Sequence, residues 1–161
     1  MSVAFRRESD DEHLEPKFEI PIPPGPNRVT ARGLALIDAR VVELAAKVAE
    51  GGEEAALKAV QRDLRYWQTR QITAELAPEP SGETVEIGTT VTFKLDGKRR
   101  VLTIVGDDEA DPAEGLVSFS APLARAMIGG EAGELLAFND RDDAIEIVGI
   151  AVTRARVPSS P

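Results

Sequence analysis

The sequence predicts an α+β protein in which an antiparallel helical hairpin precedes a small antiparallel sheet domain with one short helix. Apolar residues recur at helical spacing on both sides of Gly51-Gly52, so two stripes can cover each other when the chain reverses. Beyond the linker Ala77-Pro78-Glu79-Pro80-Ser81-Gly82 the apolar period becomes two. In that region Asp96-Gly97 separates two alternating runs, as the tight turn of a β-hairpin requires.

Residues 1–29 join a charged run, Arg6 to Glu12, to the proline cluster Pro21-Ile22-Pro23-Pro24-Gly25-Pro26. Such a stretch sustains neither helix nor ladder and has too few apolar groups to offset its ordering entropy, so a mobile arm is expected. Phe18, Ile20 and Ile22 alternate with polar residues or proline, which leaves a short extended piece able to dock on the body or on a partner. The hairpin is predicted over 30–76. Leu34, Ile37, Val41, Leu44 and Val48 form one coiled-coil seam, and Leu57, Val60, Leu64 and Trp67 form a second. Ile72 and Leu76 continue the second seam after a slip of one residue, and Pro78 ends it. A helix of about 20 residues at about 1.5 Å per residue makes the hairpin roughly 30 Å long.

After the linker at 77–82, a sheet domain is predicted over 83–153, with a tail at 154–161. Val91, Phe93 and Leu95 alternate with Thr90, Thr92 and Lys94, and Arg100 to Val105 returns as the second strand. Further strands are expected at Leu116–Phe119, Glu134–Phe138 and Ala144–Val152. Ser120 is placed to cap a short helix, with Pro122 in its first turn and Gly129 at its end.

Composition removes several functions. The chain has no cysteine and its one histidine is His13, so thiol catalysis, disulfide frameworks and Cys/His metal sites have no ligands or nucleophiles. No Ser/His/Asp triad is expected, and neither Gly51-Gly52 nor Gly129-Gly130 is followed by the Lys-Ser/Thr of a phosphate loop. A net charge of −9, with 15 acidic against 8 basic residues in 79–161, argues against affinity for nucleic acid except indirectly, through a partner. Neither a signal peptide nor a membrane span is read from the sequence, so a cytoplasmic protein is expected.

The stretch Thr103-Ile-Val-Gly-Asp-Asp-Glu-Ala-Asp-Pro112, followed by Leu116-Val-Ser-Phe-Ser-Ala-Pro-Leu-Ala-Arg-Ala-Met-Ile-Gly129 and Gly133-Glu134, resembles the C-terminal domain of bacterial Gre transcript-cleavage factors. Val29-Thr30-Ala31-Arg32-Gly33-Leu34 is similar to the start of the Gre coiled coil. The resemblance implies an FKBP-like fold for 83–153. It also implies a monomer that binds RNA polymerase beside its secondary channel, inserts the hairpin toward the active site and is nucleoid-associated through the polymerase. An FKBP-like fold can suggest prolyl isomerase activity, but the domain's aromatics are only Phe93, Phe119 and Phe138, too few to line an isomerase pocket.

Two mechanisms follow from the resemblance. Cleavage-stimulating members carry Gly-Asp-x-x-Glu-Asn-Ala-Glu-Tyr at the tip, whose acids help hold a second Mg²⁺ at the polymerase active site. Here the tip reads Glu50-Gly-Gly-Glu-Glu-Ala-Ala-Leu57, and the first helix is roughly three turns, about 16 Å, shorter than the family leads one to expect. Glu50, Glu53 and Glu54 are the candidate catalytic acids, although acids in the first turn of a helix are favoured by its dipole without any catalytic role. The altered tip favours a factor that modulates or competes in the channel without cleaving and has no cofactor of its own. A cleavage factor sharing the polymerase Mg²⁺ is the alternative. The resemblance places polymerase contacts at Ser120, Ala121 and Pro122 and at the acidic turn Asp107, Glu109 and Asp111. By residue type alone Asp107, Asp108, Glu109 and Asp111 read as a solvated turn, because they lack calcium-loop spacing.

Overall fold

The computed structural model describes residues 19–152, which divide into two units. One contains residues 19–25 and Leu36–Thr73, and the other contains Pro26–Ala35 with residues 74–152.

The first unit is the helical hairpin. Helix α1 spans Ala31–Glu50, its last fifteen residues lying in this unit, and helix α2 spans Glu54–Thr73. Ile37 and Leu44 are buried on α1, with Val41 and Val48 half-buried on the same stripe. On α2 the stripe Leu57, Val60, Leu64 and Trp67 is half-buried, as expected where two helices cover only one face of each other. The Gln71 amide donates to Asp38 Oδ1 at 2.9 Å, and the Arg40 guanidinium lies 5.5 Å from the centre of the Trp67 ring. The expected slip to Ile72 and Leu76 does not occur. Five residues beyond Trp67 a helix has turned roughly 140° farther, away from the stripe. Ile72 is accordingly 83% exposed, and the buried position is Arg70. Leu76 lies beyond the end of α2 and is 60% exposed.

The described part of the expected arm is placed rather than free. Arg65 donates through Nε and Nη2 to the Glu19 carboxylate, holding that carboxyl below its usual range and tying residues 19–25 into the hairpin unit. Arg28–Val29 forms strand β1, paired in parallel with β2 at Glu75–Leu76, and Asn27 and Val29 are buried. Proline supplies no N–H, so this pairing begins only after Pro26. Phe18 and the tail at 154–161 lie outside the described residues.

The second unit carries a five-stranded sheet in the order β5-β4-β3-β7-β6. Its strands are β3 at Thr89–Leu95, β4 at Lys98–Val105, β5 at Leu116–Ser118, β6 at Leu135–Phe138 and β7 at Arg141–Val152. Asp96 and Gly97, with φ of 52° and 81°, make the expected tight turn between β3 and β4. The sheet is antiparallel except between β4 and β5, where Thr103 to Val105 pair in parallel with Leu116 to Ser118. The connection from Gly106 to Gly115 is long enough to carry the chain back before it pairs again, which a two-residue turn cannot do. Val91, Phe93, Leu102, Ile104, Ile145 and Ile147 form the core with Ala124 and Met127 of the short helix α3, Pro122–Met127. Among the described residues no helix is long and apolar enough to cross a membrane.

Leu44→Ala should destabilise the chain by roughly 2–4 kcal/mol through the cavity it leaves, while Ile72→Ala should change stability by less than about 0.5 kcal/mol. Urea unfolding of the two variants measures the contrast, and equal effects would contradict the placement of the seam.

Candidate functional site

Two clusters in the sheet unit organise the acidic turn after β4. The first is centred on Glu109. Its side chain is only 4% exposed, and its two oxygens are used separately. Thr30 donates its hydroxyl to Oε1, and Arg32 Nη1 donates to Oε2 at 3.0 Å. The same Thr30 oxygen accepts the Gly33 N–H at 2.9 Å, which makes Thr30 the N-cap of α1. A side chain at position 33 would place its Cβ 2.9 Å from Glu109 Oε1, so any residue but glycine there would push the carboxylate from its present position. An anion there is also favoured by the positive end of the helix dipole. The acidic turn is therefore not simply solvated, since Glu109 is buried within it.

The second cluster is centred on Asp107. Its Oδ1 accepts hydroxyl hydrogen bonds from Ser118 and, at 2.7 Å, from Ser120, and the two serine oxygens are 2.8 Å apart. Ser120 was expected to cap α3 but is committed to Asp107. The N-cap position belongs to Ala121, which offers no side-chain bond, and Pro122 occupies the first helical position, where its missing N–H is harmless. Asp107, Ser120, Ala121 and Pro122 are thus brought together, with Ser120 and Pro122 exposed. Ser118 joins them, a residue that sequence reasoning passed over because its place on β5 suggested only a strand. Asp111 is exposed, and its backbone shapes the turn by exchanging hydrogen bonds with Leu116.

In the hairpin unit Gly51 and Gly52, with φ of 74° and 134°, reverse the chain between the helices. Glu50, Glu53 and Glu54 are all exposed there. Glu54 pairs with Lys58 at 3.4 Å, and the Glu53 carbonyl accepts the Leu57 N–H, as at the start of an ordinary helix. Among the described residues no three acidic or histidine side chains form a group able to hold a metal ion, so the tip acids supply at most part of a ligand set.

The sheet unit also contains a cleft of about 590 Å³ that was not foreseen, with Ile87, Val105, Leu116 and Val152 among its apolar walls and Arg32 and Glu109 at its polar side. No aromatic residue lines it, so it lacks the wall expected of a prolyl isomerase pocket.

Comparison with known proteins gives consistent matches. A family model described as "Transcription elongation factor, GreA/GreB, C-term" matches residues 79–152. A transcription elongation factor GreA of Thermomicrobium roseum is 34% identical over 108 residues, covering 61% of this chain and 69% of that protein. The GreA of Maricaulis maris is 36% identical over 97 residues, 59% of each chain. The GreA of Bacillus cereus strain AH187 is 40% identical over 70 residues, and there the match spans under half of the relative's length. Among solved structures, the GreA factor homolog 1 of Thermus thermophilus aligns at 17% identity and a TM-score of 0.37, covering 79% of this chain and 99% of that one.

Glu109→Ala should lower stability by about 1–3 kcal/mol, because it strands the Thr30 hydroxyl and removes the anion from the helix terminus. Asp111→Ala, at an exposed position, should change it by less than about 0.5 kcal/mol. Thermal unfolding of both variants checks this, and an unaffected Glu109→Ala protein would show that the contact is dispensable.

Proposed function

Because this chain belongs to the GreA/GreB family of transcription elongation factors, we propose that it binds RNA polymerase beside the secondary channel and occupies the channel mouth. On this reading it modulates elongation and competes with other channel ligands without supporting transcript cleavage. It has no catalysis of its own, touches nucleic acid only through the elongation complex, and acts as a cytoplasmic monomer associated with the nucleoid through the polymerase.

The observation that carries the reading is the hairpin tip. Two helices of 20 residues each end in a bare diglycine reversal, with Glu54 paired to Lys58 and no aspartate at the turn. A cleavage cofactor needs hard oxygen donors at a definite reach, and a tip shorter than the resemblance leads one to expect and without its aspartate supports the non-cleaving reading. The second reading, a cleavage factor, draws its support from Glu50 and Glu53, which are exposed and form no ion pair among the described residues. Magnesium would then be held chiefly by the polymerase, with these carboxylates completing its oxygen shell.

Docking is proposed to use the exposed turn at Ser120, Ala121 and Pro122, with Asp107 holding it in shape and Asp111 beside it in the same acidic loop. Glu109 supports that loop from within and makes no contact itself.

On backtracked elongation complexes the native protein should give little cleavage at any Mg²⁺ concentration and should inhibit an authentic Gre factor competitively. The triple variant Glu50→Gln, Glu53→Gln, Glu54→Gln should inhibit almost as well, since length and helix packing are kept. Strong cleavage by the native protein that vanishes in the triple variant would establish the second reading instead. Pro122→Arg should weaken polymerase binding by about tenfold or more if the turn lies in the interface. Unchanged affinity with the fold intact would remove the turn from it.

A further inference from the structure

The hairpin of β3 and β4 carries Lys94, Lys98, Arg99 and Arg100 within seven residues, all exposed, in a chain of net charge −9. Asp96, the acid at its turn, is neutralised by Arg141 at 2.6 Å, and none of the four cations forms an ion pair among the described residues. Lys94 and Arg99 stand directly opposite each other across the ladder, where like charges oppose the pairing of the strands. On its other side Lys94 faces Glu146 of β7, which offsets part of that repulsion, whereas Arg99 faces no second strand among the described residues.

The same segment is a sheet edge. β5 pairs with β4 only at Thr103, Ile104 and Val105, so Lys98 to Leu102 have β3 on one side and no strand on the other among the described residues. Thr103 directs its N–H toward this edge, donating to the Gly115 carbonyl at 2.8 Å. By the alternation of an antiparallel ladder, Arg99 and Val101 point their N–H and C=O groups to the same side. The edge therefore offers two donors and two acceptors in register, with Val101 58% exposed among the cations.

We propose that the free edge of β4 at Lys98–Val101 is a strand-addition site for an extended, acidic segment of a partner protein. The partner's main chain would pair with Arg99 and Val101, and its carboxylates, lying on one face by the strand period of two, would meet Lys98 and Arg100. An apolar side chain would lie against Val101. A second copy of this chain is rejected, because its own edge would set cations against cations. Nucleic acid fits less well. A phosphodiester offers acceptors but no donors for the two outward carbonyls, and base stacking has no platform here, since Phe93 is buried and Phe119 and Phe138 are partly buried. The site uses none of the residues in the Ser120–Pro122 turn and stands or falls separately from the channel reading.

The test is a nuclear magnetic resonance titration of the full chain at low salt with three probes. These are a blocked heptapeptide of alternating glutamate and valine, the same peptide N-methylated along its bonding edge, and a single-stranded RNA heptamer. The plain peptide should slow amide hydrogen exchange at Arg99 and Val101. The methylated peptide, equal in charge, should bind about tenfold more weakly or worse, because it loses the main-chain bonds. Lys98→Glu combined with Arg100→Glu should lose a similar factor for the plain peptide. Equal binding by the methylated peptide, equal protection by the RNA, or no protection with millimolar plain peptide would each overturn the proposal. The two peptide arms use the unaltered protein, so a poorly folded variant does not blunt the test.

Discussion

The Glu109 carboxylate at the N-terminus of α1 is the interaction on which the sheet unit's arrangement most depends. One oxygen takes the Thr30 hydroxyl while the other takes Arg32, and the Thr30 oxygen in turn caps Gly33. The loop that leaves β4 and the first turn of a helix 77 residues earlier in the chain are thereby joined by charge-assisted bonds to a buried carboxylate, with Arg32 itself reaching it from the exposed side. Removing any member leaves the others with unmatched polar groups, so the Thr30, Gly33 and Glu109 positions constrain one another. One of the four acids that read as a solvated turn is a structural fastener.

With Glu109 turned inward, the outer part of the same loop is free to be shaped by Asp107. That side chain gathers Ser118 and Ser120 and sets the backbone just before Pro122, so the proposed contact turn is held by hydroxyl-to-carboxylate bonds rather than by a helix cap. The sheet beneath supplies a fixed base: Val91, Phe93, Ile104 and Ile147 pack against Met127 of α3. Apolar burial supplies the rigidity and two carboxylates supply the shape.

Much of this was legible from residue order. The seam Leu34 to Val48, the reversal at Gly51-Gly52, the Asp96-Gly97 turn and Pro122 at the start of α3 all follow from local periodicity and backbone preference, and each appears where expected. The failures share a cause. The neighbours of Ser120 in sequence call for a cap, yet its hydroxyl is claimed by Asp107, thirteen residues away. Ile72 continues the seam only across a slip of one residue, whereas an unbroken helix keeps its angle and turns that residue to solvent. Arg28 and Val29 fall within the expected arm, but their strand partner lies 47 residues on.

By itself, then, the sequence determined the element order, the hairpin, the hydrophobic faces and the family resemblance, because these rest on spacing and on φ,ψ preferences that act over a few residues. Only the tertiary structure decided which acids are ligands of the fold and which face outward, that β5 runs parallel to β4, and that β4 keeps a free cationic edge. Those outcomes depend on which distant groups meet in three dimensions. A carboxylate beside a helix terminus and one in water are the same letter in a sequence, separated only by the desolvation and hydrogen bonding that folding imposes.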